Sequence, residues 1–204
     1  VNKSKLTIIE NAIDINAVTN SLKLAKDEMC FDFDDFLLLM SARFTSQKNH
    51  KVILNTLKLL PQKIKILFAG DGDLKEDMES FVIDNNLGDR VFFLGPRSDI
   101  FSLMNMVDVN ILASNYEGLS LAALEAMSTG KPFIASNVDG LDFVVNNQSY
   151  LFENEPESLG DLILKLYNDK DFYDECAKNT FHRSKDFDIE IMVDKYLEVY
   201  KNQI

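Results

Sequence analysis

Short apolar runs alternate along most of the chain with segments whose apolar positions recur every three or four residues. The runs at 6–9, 36–41, 64–69, 91–94, 109–112, 133–136 and 150–152 are strand-sized. Several, such as Leu37-Leu38-Leu39-Met40, are continuous rather than alternating, as in strands covered on both faces of a parallel sheet. Between them the pattern predicts helices over 50–60, 74–86, 100–106, 119–128 and 139–146. This β-α-β-α order implies an α/β domain with a doubly wound, mostly parallel sheet. In such sheets ligands sit at the carboxyl ends of the strands, where the strand order reverses.

Both ends depart from the rhythm. Residues 14–29 read as a helix, and beyond 152 the chain becomes helical at 157–168, 171–184 and from 188 onward. In the last of these Ile189, Met192, Val193, Tyr196 and Tyr200 form an apolar stripe, with Asp188 placed to cap. Packing of the stripe onto the α/β core is the first expectation. Docking onto a domain outside this chain is the second.

Composition narrows the function. The 204 residues are 46% hydrophobic and 26% charged, which suits one globular domain with a real core. Against 21 Lys and Arg stand 33 Asp and Glu, a net charge of -12, so nucleic acid is not an expected partner. An anionic ligand would have to be held by a few placed cations and backbone donors. Two distant cysteines, Cys30 and Cys176, and two histidines, His50 and His182, offer no metal-ligand spacing, so a zinc site built from His and Cys is not expected, and the thiols suggest a reducing compartment. No apolar run approaches the roughly 18 residues of a membrane span. The chain starts at Val1 rather than Met, so it is read as a fragment.

Three stretches at predicted strand ends could carry chemistry. In Ser41-Ala-Arg43-Phe-Thr-Ser-Gln-Lys48, two cations lie in a strand-to-helix loop, able to converge on a diphosphate or simply be solvated. Ala69-Gly-Asp-Gly-Asp73 reads first as a tight turn with Asp73 capping the next helix. In the third, Glu117 precedes a predicted helix start, whose unpaired amides favour an anion. Glu125 lies within that helix among Leu121, Ala122, Leu124, Ala126 and Met127. An acidic residue in such company is paired, binds hydroxyls, or lies on the surface. Neither a dinucleotide fingerprint nor a P-loop is present.

The order Ala42-Arg43…Lys48, Ala69-Gly-Asp-Gly, Phe92-Phe-Leu-Gly95, Glu117-Gly…Glu125-Ala-Met…Gly130-Lys-Pro resembles the group 1 (family 4) retaining glycosyltransferases. More narrowly it resembles their C-terminal, nucleotide-sugar-binding domain, the Rossmann-like half of a GT-B fold. Glu117 and Glu125 have the spacing of that family's E-x7-E motif, and Asn11-Ala12-Ile13-Asp14 is similar to its interdomain segment, with Ala12 where Gly is usual. Ala42 likewise stands where Gly is common, and Asp142 where Glu is common.

The resemblance implies roles residue by residue. Arg43 and Lys48 match the diphosphate-binding pair, Glu117 the carboxylate near the donor sugar, and Glu125 the one that binds ribose hydroxyls; Arg43, Lys48 and Glu117 are the expected catalytic residues. Gly118, Leu119, Ser120 and Leu121 match the loop and helix start whose amides meet phosphates, and Gly95, Pro96 and Arg97 the base-binding loop. The implied organisation is one donor-binding domain over 1–204, with an interdomain segment in 1–30 and a helix over 188–204 that returns to an N-terminal acceptor domain outside this chain. That absent half would hold the family's glycine-rich loop and catalytic-site histidine, so neither His50 nor His182 is given that role. The implied substrate is a UDP- or GDP-sugar, whose hexose passes with retention to a glycan or lipid-linked acceptor, with no metal or cofactor expected. The implied location is the cytoplasm, at the inner membrane face if the absent domain makes a peripheral contact. A non-hydrolysing sugar-nucleotide epimerase and a catalytically silent nucleotide-binding module remain alternatives.

Overall fold

The computed structural model describes residues 6–201. Six strands form one sheet: β1 (Phe36–Ser41), β2 (Ile64–Ala69), β3 (Val91–Gly95), β4 (Val109–Leu112), β5 (Phe133–Ser136) and β6 (Leu151–Phe152). Every pairing in it is parallel and the order is β3-β2-β1-β4-β5-β6. The continuous apolar runs are the reason. Leu37 to Met40 in β1, Ile66 to Ala69 in β2 and all of β4 and β5 are buried, as a sheet covered on both faces requires.

From β1 the chain steps outward to β2 and β3, then returns to β4 on the other side and steps away to β5 and β6. The order therefore reverses between β1 and β4, the point at which sheets of this kind open a crevice between their two halves.

The connecting helices are α1 (Ile15–Thr19), α2 (His50–Leu57), α3 (Lys75–Asp84), α4 (Ile100–Met106), α5 (Leu121–Met127) and α6 (Asp139–Val145). The C-terminal helices are α7 (Pro156–Asn168), α8 (Lys170–Ser184) and α9 (Ile189–Lys201); α7 packs on α2 and α8, and α8 on α5. Most predicted helices are present but shorter. Asn146 closes α6 in a left-handed conformation at φ 51°, and the predicted cap Asp73 makes no capping bond because α3 starts only at Lys75.

Three expectations fail. Residues 6–9 form no strand: Leu6 and Ile8 are 64% and 82% exposed, and an apolar run without a neighbouring strand has no ladder to join. The predicted helix over 14–29 shrinks to α1, capped by the Asp14 carboxylate 3.0 Å from the Ala17 amide, and a 3-10 turn at Asp27–Met29. Asn16, Thr19, Asn20 and Ser21 are poor helix formers and explain the early stop. The stripe on α9 does not enter the core: α9 holds no buried residue, and Val193, Tyr196 and Tyr200 are exposed. Asp188 does cap it, accepting from the Glu190 amide at 3.0 Å.

Arg90 pins the amino ends of β2 and β3. It is buried without a carboxylate, and its guanidinium donates to the carbonyls of Leu57 (2.7 Å), Ile64 (3.0 Å) and Pro61 (3.0 Å). Replacing Arg90 by Met should remove these three side-chain bonds, leaving the Leu57 and Pro61 carbonyls only the amides of Leu60 and Ile64, and cost about 2–4 kcal/mol in chemical denaturation. An unchanged midpoint would show that Arg90 is not a structural clasp.

Candidate functional site

The loops leaving β1 and β4 meet across the reversal in strand order. The Asn115 amide donates to the Gln47 carbonyl (2.7 Å), Asn115 Nδ2 to the Ser46 carbonyl (2.8 Å) and Gln47 Nε2 to the Tyr116 carbonyl (3.0 Å). Within this frame the Lys48 ammonium pairs with Glu117 Oε1, both side chains being largely buried. The Ser114 hydroxyl donates to the same oxygen at 2.8 Å. The structure thus brings the two predicted residues Lys48 and Glu117 into direct contact.

Arg43 lies on the other side of the β1 loop, exposed, with neither ion pair nor side-chain hydrogen bond among the described residues. With Ala42, Gly70, Pro96, Arg97 and Ile100 it lines an open cleft of about 310 Å³ above β1, β2 and β3. The Gly95–Arg97 loop therefore shares a cleft with Arg43, while Arg97 itself is held by Asp99 through two bonds of 2.8 and 2.6 Å. The loops are closely layered: the Gly70 amide donates to the Gly95 carbonyl at 2.9 Å. A Cβ on Gly70 would fall 2.1 Å from the Ala42 carbonyl oxygen, so only glycine fits this φ of +147°.

Gly118 is exposed, Leu119 half-buried and Ser120 buried at the N-cap position of α5, and Leu121 begins the helix. Glu125, one turn on, is half-buried; its carboxylate accepts no hydrogen bond among the described residues, and burial pushes its pKa upward.

Other residues of the site escaped the sequence reading. Ser114, Asn154 and Ser136 form a chain behind Glu117, with Asn154 Nδ2 and the Ser136 hydroxyl donating to the Ser114 carbonyl at 2.9 and 2.6 Å. Gly140 lets the first turn of α6 press on the Glu117 loop, because a Cβ there would lie 2.0 Å from the Gly118 carbonyl oxygen. The hint in sequence was a glycine shortly after β5.

His50 and the remaining clusters make none of these contacts. His50 is buried and stacks on Phe44 with centroids 4.1 Å apart, and His182 is exposed on α8. Cys30 and Cys176 are free. A cavity of about 840 Å³, lined by Lys26, Phe31, Asp108 and Lys131 among others, lies at the amino edge of the sheet, away from the cleft. Asp32, Asp34 and Asp35 gather at that edge too, where Lys63 and Lys65 pair with them.

The sequence profile described as "Glycosyl transferases group 1" matches residues 26–183. The chain belongs to this family. Over its whole length it is 29% identical to an Escherichia coli UDP-Gal:alpha-D-GlcNAc-diphosphoundecaprenol alpha-1,3-galactosyltransferase, covering 56% of that protein. The chain thus spans just over half the length of this relative. Anabaena HepE, solved in complex with UDP, superposes with a TM-score of 0.87 at 22% identity, over 96% of this chain and 57% of that one. The C-terminal domain of a Francisella tularensis group 1 glycosyl transferase, LpcC, gives 0.72 at 20% identity and is matched over 96% of its length, against 85% of this chain. The fold is the Rossmann-like C-terminal domain of a GT-B glycosyltransferase.

Burial and the neighbouring Lys48 charge push the His50 pKa down to about 4. The unfolded chain, with an ordinary histidine near 6.5, binds the proton more readily, so folding stability should fall as pH drops from about 6.5 to 4. The shift corresponds to a loss of about 3 kcal/mol at the acid end. Comparing urea unfolding of wild type and His50→Phe across this range checks it; equal pH slopes would refute the assignment.

Proposed function

We propose that this chain is the donor-binding half of a retaining, metal-independent glycosyltransferase that takes a UDP- or GDP-hexose. The observation that carries the reading is the Lys48–Glu117 pair at the reversal in strand order, with Arg43 on the other side of the same β1 loop in a cleft shared with Pro96 and Arg97. In this reading Gly95, Pro96 and Arg97 border the base, Glu125 accepts from the ribose hydroxyls and Glu117 from the sugar. Arg43, Lys48 and the amides of Gly118 to Leu121 stabilise the charge that grows on the departing diphosphate. Two cations at the leaving group supply the positive charge that a metal provides elsewhere.

The relative from Escherichia coli acts, by its name, on a diphosphoundecaprenol-linked sugar, which supports a glycan or lipid-linked acceptor for the complete protein. The acceptor domain would face the exposed stripe of α9, and the segment within 1–30 would join the two domains. Among the described residues no helix is long and apolar enough to cross a membrane. We place the complete protein in the cytoplasm, with any contact at the inner membrane face made through the acceptor domain.

Titration of the chain with UDP and GDP should show weak binding of one of them, unaffected by chelator, and no sugar transfer in the absence of the partner domain. Arg43→Ala should weaken that binding about tenfold, the worth of a charge-assisted hydrogen bond, and Lys48→Ala comparably. Unchanged affinity in both variants would remove the diphosphate from this loop. Glu125→Gln should weaken binding of the bare diphosphate, and a 2′-deoxy nucleotide should erase most of that difference. Glu117→Gln should leave the diphosphate alone and weaken only the sugar nucleotide. Equal affinities in all proteins for both ligands would refute both roles.

A further inference from the structure

We infer that Ser114 is a positioning residue for donor-sugar recognition, holding one oxygen of Glu117 so that the other is left to accept from a sugar hydroxyl. This deepens the reading of Glu117 proposed above and rests on it. Ser114 lies just beyond the end of β4 and is fully buried. Its carbonyl is fixed by the Ser136 hydroxyl at 2.6 Å and by Asn154 Nδ2 at 2.9 Å, so its Cα has little freedom. Its hydroxyl donates to Glu117 Oε1 at 2.8 Å, and the Lys48 ammonium goes to that same oxygen. Oε2 takes no donor among the described residues, and it is not one of the buried atoms that lack a partner.

An ionised carboxylate only accepts hydrogen bonds, and each oxygen has room for two. Two donors on Oε1 fill that oxygen and fix the rotation of the group. The free Oε2 then suits a ring hydroxyl, and a sugar lacking a hydroxyl at that place gains nothing from it. Lys48 alone would neutralise the charge but leave the carboxylate free to turn, because an ammonium is a point charge on a flexible stem. Ser114 supplies the second fixed point. The same argument separates the two ligands: the bare diphosphate has no hydroxyl for Oε2 and should not depend on Ser114.

The test titrates the chain with UDP, GDP and a panel of their hexose conjugates, and reads the ratio of sugar-nucleotide to diphosphate affinity. In Ser114→Ala, and in near-isosteric Ser114→Cys with its weak S–H donor, this ratio should fall about tenfold while diphosphate affinity is kept. Ser114→Thr, which retains the hydroxyl, should restore the ratio. Loss of both ligands in equal proportion would mark Ser114 as merely structural and overturn the inference, as would an unchanged ratio in the Ala and Cys variants. Wild type that binds a diphosphate but prefers none of its sugar conjugates would overturn the sugar roles of Glu117 and Ser114 and leave the diphosphate site standing. Wild type that binds no diphosphate would remove the donor-site reading, and this inference with it.

Discussion

The contact between Lys48 and Glu117 joins the two halves of the sheet at the reversal in strand order, where sheets of this kind take their ligands. Each side chain alone would be an uncompensated, largely buried charge, and such a charge is costly. Together they neutralise one another, and the bonds between residues 46–47 and 115–116 keep the two loops close enough for the pair to form. The glycines serve the same closeness: Gly70 admits the Ala42 carbonyl and Gly140 the Gly118 carbonyl. Phe44 and His50 fill the space behind the β1 loop with stacked rings rather than charge.

The electrostatics follow from that economy. The chain is strongly acidic, yet its cations at the sheet edges are mostly engaged: Lys26 with Asp108, Lys65 with Asp35, Arg97 with Asp99 and Arg90 with carbonyls. Arg43 stands apart from these, exposed at the carboxyl edge. Lys48 and Arg97 are paired with carboxylates, while Arg43 has no carboxylate partner among the described residues.

The strands were legible because a strand buried on both faces must be apolar without interruption, and residues 36–41, 64–69, 109–112 and 133–136 are nearly so. The run at 6–9 has similar composition but no neighbour, and strand identity depends on a partner that local pattern cannot reveal. The candidate residues Arg43, Lys48, Glu117 and Glu125 could be named from their motifs. That Lys48 touches Glu117 could not, since 69 residues separate them. Ser114 and Gly140 were hidden for the same reason: their partners are set by tertiary contact. The stripe on α9 was legible as a stripe, but periodicity gives a face without saying what meets it.

The register of the sheet has a mechanical consequence. β1 pairs with β2 over six residue positions but with β4 over two, Leu38↔Val109 and Leu39↔Asn110. The two halves, or leaves, of the sheet therefore meet along a short seam, no longer than the β5–β6 pairing. The seam is riveted at its amino end, where Asp108 accepts from both Lys26 and the Leu37 amide at 2.7 Å, and at its carboxyl end by the loop bonds around Lys48. A molecule lying across the carboxyl rivets touches both leaves at once. Its grip would be felt as resistance to the leaves parting, with the slowest-opening amides gathered along the seam rather than at the outer strands.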